Sequence, residues 1–136
     1  MQSIQNISHV NYSLETFESF CDEILHLDPK IRFVGIIDDK GKLLTKNTRK
    51  GLEVFIETKD LEILLMETAL GVRMRREHDD QLGPVNFTIS YGRNILSIIF
   101  PFKQEMLCVS AEKEIDFSKI PFVILHLLET RIAKKV

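Results

Sequence analysis

The stretch Lys59–Gly83, K-D-L-E-I-L-L-M-E-T-A-L-G-V-R-M-R-R-E-H-D-D-Q-L-G, predicts one long helix with two apolar faces. At about 100° per residue, Leu61, Leu65, Ala69 and Val72 fall on one stripe. Ile63, Met66, Leu70 and Met74 fall on the opposite side. Glu62 and Arg73 line one seam, Glu67 and His78 the other. A helix lying on a single core needs one apolar stripe. Two stripes call for two partners, and a short chain supplies one of them.

The surroundings of this helix define a single α+β domain. Of the 136 residues, 44% are apolar and 28% charged, with a net charge of -2 and both signs interspersed. That size supports one domain with a real core. The charge balance argues against nucleic-acid binding, which draws on a basic excess. No apolar run is long enough to span a bilayer, and residues 1–12 lack the basic and apolar regions of a signal peptide. Cys21 and Cys108 lie far apart at no metal-ligand spacing and read as buried thiols in a reducing cytoplasm. The expected location is therefore cytoplasmic, with no membrane contact.

Working outward, residues 1–12 are polar and aperiodic and read as a flexible N-terminal arm, so that residues 13–136 form the single domain. Ser13 is a candidate N-cap. Leu14, Phe17, Cys21, Ile24 and Asp28 follow at helical spacing, with Phe20 and Leu27 beside them. Asp28-Pro29 ends this first helix. Ile31–Asp38 is nearly all apolar and predicts a strand covered on both faces. Gly35 within it suggests close approach of another element. Asp39-Lys40-Gly41 is a turn, and Lys42–Lys46 the return strand. Residues 47–51 read as a basic loop, and the apolar segment 52–56 has no assigned element.

Thr58 or Asp60 can cap the long helix, and Leu82-Gly83-Pro84 closes it. Val85–Tyr91 alternates strictly. Val85, Phe87, Ile89 and Tyr91 face one way; Asn86, Thr88 and Ser90 face the other. Gly92-Arg93 fits a tight hairpin turn. Asn94–Phe102 and Met106–Ala111 are the next two strands, with Pro101 limiting pairing near the end of the first. In the last helix, Ser118 is a candidate N-cap and Phe117 with Phe122 a hydrophobic staple. Pro121 sits in the first turn, and Ile120, Val123, Ile124, Leu127, Leu128 and Ile132 form the buried stripe.

The order helix, strand, strand, long helix, three strands, helix resembles the Roadblock family of dynein light chains and its bacterial and archaeal relatives. The residues carrying the resemblance are Phe33–Leu44 (F-V-G-I-I-D-D-K-G-K-L-L), the helix from Asp60, and the meander from Val85 to Ser110. The block Met66–Tyr91 is also similar to a group of small archaeal proteins without an assigned function. Longin, profilin-like and PAS-like domains share much of this element order. The resemblance implies a three-layer α/β/α sandwich around a five-stranded antiparallel sheet. The first and last helices would cover one face and the long helix the other. Family members are homodimers or heterodimers in which the long helices pack together and the third strands pair. Many bind small Ras-like GTPases or act as scaffolds, and they are not enzymes.

The expected function is accordingly a non-enzymatic homodimeric module that scaffolds or regulates a small GTPase. The expected dimer interface is Ile63, Met66, Leu70, Met74, Asn86, Thr88 and Ser90. Arg73, Arg75 and Arg76 form a candidate partner or anion patch. No catalytic, cofactor-binding or metal site is expected. His78-Asp79-Asp80 occupies adjacent positions that do not converge, Asp38-Asp39 suits a turn, and phosphate or dinucleotide fingerprints are missing. His26 and His126 read as surface or interface residues. The alternative is a PAS-like sensor with a small-ligand pocket lined by Phe33, Phe87 and Phe100.

Overall fold

The structure, a computed structural model, describes residues 2–50 and 57–132, with side chains from residue 14 onward. Its elements are α1 (Gln2–Leu25), β1 (Ile31–Asp38), β2 (Leu43–Thr48), α2 (Thr58–Arg76), α3 (Asp79–Leu82), β3 (Thr88–Tyr91), β4 (Leu96–Phe102), β5 (Glu105–Ala111) and α4 (Ile120–Arg131). The five strands form one antiparallel sheet in the order β2-β1-β5-β4-β3. The expected α+β sandwich is the observed architecture. The apolar segment 52–56 lies outside the described residues.

β1 pairs on both edges with β2 and β5, and helices on both sides of the sheet cover its faces, as its nearly continuous apolar run requires. One face carries the larger core, where Cys21 and Ile24 of α1 and Ile124 and Leu128 of α4 meet Ile36, Ile98, Phe100 and Leu107. The other face is covered by α2, whose Leu65 and Ala69 pack on Ile37, Met106 and Cys108. Leu61 and Val72 flank that contact. The stripe that meets the sheet is thus Leu61, Leu65, Ala69 and Val72.

Several local readings differ from the structure. The backbone is helical from Gln2, so Ser13 sits inside α1. Residues 2–12 contain neither glycine nor proline, and nothing there breaks the helix. The long helix is also interrupted. α2 ends at Arg76, and the chain turns through Glu77 and His78 before the single turn of α3. Adjacent aspartates at 79 and 80 are poor helix-interior residues. Asp79 instead holds Arg75 at 3.0 Å across the break. The N-cap of α2 is Glu57, with no side-chain cap, rather than Thr58 or Asp60.

The third strand begins at Thr88, not Val85. In the following turn, Gly92 N–H donates to Ile95 O, so Arg93 and Asn94 are the loop residues. A Cβ at position 92 would sit 2.6 Å from that same carbonyl, which accounts for the glycine. Ser118 does not cap α4. Its hydroxyl and amide both bind Asp116, those bonds hold the Asp116 carboxyl below its usual range, and Lys119 takes the cap position. Phe117 stacks edge-on against Tyr91, and Phe122 against Phe87.

Arg49, read from sequence only as part of a basic loop, is a structural clamp. Its guanidinium donates to the Ile31 carbonyl at 2.8 Å, to Leu25 at 2.6 Å and to Asp28 at 3.1 Å. Leu25 is the last residue of α1, so a cation satisfies carbonyls that the helix leaves unpaired. Arg49→Ala is expected to lower stability by about 2 kcal/mol, measured by urea denaturation. The end of α1 should lose amide-exchange protection first.

Candidate functional site

The β1–β2 turn ties α2 to the sheet along its middle and C-terminal half. Asp38 Oδ1 accepts the amides of Lys40 and Lys42, both at 2.9 Å, which shapes the turn. Asp38 and Asp39 therefore act in turn geometry. Gly41 has φ +87°, and its missing Cβ lets the turn sit against the α2 backbone. A Cβ there would lie 2.6 Å from Met66 Cα and 2.7 Å from Leu65 O.

The three candidate anion-patch arginines are each engaged. Arg73 donates to Asp39 O at 2.8 Å, Arg76 to Lys103 O at 2.9 Å, and Arg75 to Asp79 and to Gly83 O. They fasten the β1–β2 turn, the β4–β5 turn and the α3 segment to the end of α2. Glu105 lies in the same neighbourhood. Burial holds its carboxyl above the ordinary range, against the pull of Lys103, and Asp39 and Asp38 add to the rise.

The face of α2 turned away from the sheet is open. Ile63, Leu64 and Leu70 are each 48% exposed, Met66 59% and Met74 60%. Half-exposed apolar side chains in such density on one helix mark a candidate interaction surface. Leu64 was not singled out by the two-stripe reading. It begins a third line, Leu64, Thr68, Gly71 and Arg75, at i, i+4, i+7 and i+11. Thr68, Gly71 and Arg75 of that line wall a groove of about 610 Å³. Val85, Thr88, Ile99 and Pro101 form its opposite side. The groove exists because α2 covers β1 and β5 and leaves the β4–β3 half of this face bare. Gly71 meets nothing within 4 Å of its would-be Cβ. In the sequence, the glycine in mid-helix at position 71 is the feature that marks this side.

Asn86, Thr88 and Ser90 are exposed, and Thr88 lines the groove. Among the described residues β3 is the last strand of the sheet, with β4 as its single neighbour. An open edge of this kind is a template for pairing.

The residues named for a PAS-like pocket do not share a cavity. Phe33 packs against the α2-side core, whereas Phe100 is fully buried in the opposite core and touches Phe87 there. Their alternation along strands on the two faces separates them. Among the described residues no group of His, Cys, Asp and Glu is placed to hold a metal. His78, Asp79 and Asp80 do not converge. Cys21 and Cys108 are free, and burial pushes both thiols up to about 12. Among the described residues no helix is long and apolar enough to cross a membrane.

The fold defines a Roadblock-like, profilin-like domain. A gliding protein MglB of Thermus thermophilus superposes with a TM-score of 0.70 at 15% identity, covering 91% of this chain and 93% of that one. A Roadblock/LC7 domain of Streptomyces avermitilis gives 0.63 at 9% identity, covering 83% and 94%. LokiProfilin1, solved with rabbit actin, gives 0.51 at 14%, covering 85% and 93%. No curated protein matches the chain. Residues 9–134 match the family DUF6659, described as a family of unknown function, and the chain belongs to that family.

Proposed function

We propose that this chain is a non-enzymatic, self-associating protein-interaction module of the cytoplasm, and that a small GTPase is the partner it scaffolds or regulates. The carrying observation is the exposed apolar face of α2 above a sheet whose β3 edge is unpaired among the described residues. Each Leu- or Met-sized side chain that moves from half exposed to buried contributes about 1 kcal/mol. A second copy of the same face supplies such cover symmetrically. The interface comprises Ile63, Met66, Leu70 and Met74, extended by Leu64 and Gly71, together with Asn86, Thr88 and Ser90 on the groove side of β3. Arg73 and Arg76 border this face as its partner-facing edge.

The GTPase part rests on the Roadblock resemblance in fold and element order, which the superpositions support. Light scattering behind size exclusion tests self-association, with a dimer expected at tens of micromolar. A monomer there overturns it. For the partner, the purified protein is used to capture small GTPases from the native cell extract in the presence of a non-hydrolysable GTP analogue or GDP. A GTPase retained with one nucleotide and released with the other is expected. Equal recovery, or none, removes the GTPase from the proposal and leaves the self-associating module.

A further inference from the structure

The groove between α2 and the bare β4–β3 half of the sheet has two chemically different ends. At about 610 Å³ it has the size of a small-molecule site. It follows α2 from Thr68 to Arg76, which is about 12 Å of helix. Val72, Val85, Ile99 and Pro101 make its walls apolar. Thr88 pairs with Ile99, so Val85 lies further along, towards Phe102 and the β4–β5 turn. Arg75 reaches Gly83 O at 3.3 Å and Arg76 reaches Lys103 O at 2.9 Å, which puts the C-terminal end of α2 there too. Ile63, Met66, Leu70 and Met74 of the exposed stripe line no part of the groove.

The end beside the β4–β5 turn is cationic. Arg75, Arg76 and Lys103 line it against a single carboxylate, Asp79, and Arg75 already holds that carboxylate at 3.0 Å. Among the described residues neither Arg76 nor Lys103 forms an ion pair. Arg76 gives one N–H to Lys103 O, and a guanidinium has five. Lys103 feels the charge of Glu105 across the turn, but Glu105 does not line the groove. The backbone of Lys103 has φ +51°, a left-handed conformation that suits glycine or asparagine better. The chain thus carries a cation at a position whose backbone favours a smaller residue.

We infer that the groove binds an apolar-tailed carboxylate of the medium-chain fatty-acid type. Its head lies at Arg76 and Lys103 and its tail runs along Val72, Val85 and Ile99. A planar guanidinium matches a carboxylate through two parallel N–H···O bonds. Gly71, with nothing within 4 Å of its would-be Cβ, leaves room for the tail. The charge is confined to one end of an apolar channel. That distribution suits a molecule with one anionic end, and it does not suit a nucleic acid or an acidic peptide, which are charged along their length. One copy supplies the whole lining, so this inference does not depend on self-association.

Calorimetry on the purified protein, with decanoate below its micelle-forming concentration, tests the site. Saturable binding is expected, with decanol and decylamine weaker by about tenfold or more. Arg76→Gln should weaken decanoate about tenfold. Lys103→Gly removes a cation where the backbone suits glycine, so it should keep the urea midpoint and weaken decanoate about threefold. Gly71→Leu fills the open space with a better helix former and should abolish binding while the circular-dichroism spectrum stays native. Equal affinity for decanoate and decylamine overturns the inference. So does unmodified affinity in G71L, or in both R76Q and K103G. No decanoate binding by the unmodified protein also overturns it; if G71L then changes the sedimentation of the chain, the groove belongs to a second copy and the self-associating reading stands. A monomer that binds decanoate with the expected preference removes self-association and leaves this inference in place.

Discussion

Replacing Met66 and Leu70 together by glutamate is expected to convert the proposed dimer to a folded monomer. Both side chains are about half exposed or more on the α2 face turned from the sheet. In the isolated subunit the new carboxylates remain in water, so folding stability should change by about 0.5 kcal/mol or less per site. In the assembly they would be buried without partners, which costs several kcal/mol. The dissociation constant should therefore rise more than about a hundredfold. Sedimentation velocity reads the assembly and urea denaturation the fold. Leu65→Glu is the contrast. Leu65 lies in the core between α2 and the sheet, so its charge should unfold the domain and not merely separate the copies. A double variant that still sediments as a dimer would place the interface elsewhere.

The second large effect is expected at Gly41. Alanine there meets two penalties. The φ of +87° disfavours any residue with a Cβ, and that Cβ would stand 2.6 Å from Met66 Cα. Because the obstruction is helix backbone, no side chain can rotate away, and either the turn or α2 must shift. Together these should cost about 3 kcal/mol, or about 10 °C in Tm for a domain of this size. Gly83→Ala separates the two causes. Gly83 also has a positive φ, of +81°, but nothing lies within 4 Å of its would-be Cβ. It should cost about 1 kcal/mol. Equal losses at both positions would mean that the contact with α2 contributes nothing. Since Gly41 abuts Met66, its substitution should also weaken the proposed dimer, an effect that Gly83→Ala should not share.

Strong periodicity was legible wherever a segment packs against one dominant neighbour. Ile31–Asp38 is a buried central strand because its apolar run has no polar side to offer solvent. On α2, the separation of Leu61, Leu65, Ala69 and Val72 from Ile63, Met66, Leu70 and Met74 follows from helical geometry alone. Segment ends were less legible, because they depend on competing local bonds. Ser118 has a capping side chain, but Asp116 captures it. Asp79 could have continued the long helix, but Arg75 and the carbonyl of Gly83 draw the chain into a separate turn. Arg49 gave no periodic signal, since its role depends on three carbonyls near residues 25–31, distant in sequence and close in space.

The candidate surface divides in the same way. Periodicity alone determined that the long helix carries two apolar stripes and that Asn86, Thr88 and Ser90 face away from Phe87, Ile89 and Tyr91. Which stripe meets the sheet was decided by tertiary packing, through Leu65 and Ala69 on Ile37, Met106 and Cys108. Packing also decided that α2 covers only the β1–β5 part of its face, which opens the groove beside Gly71 and Thr88. It brought Phe117 and Phe122 to Phe87 and Tyr91 along one strand edge. The physical reason is the range of the interactions. Amphipathic period is a property of consecutive residues, whereas coverage, edges and aromatic clusters depend on how far one element extends over another.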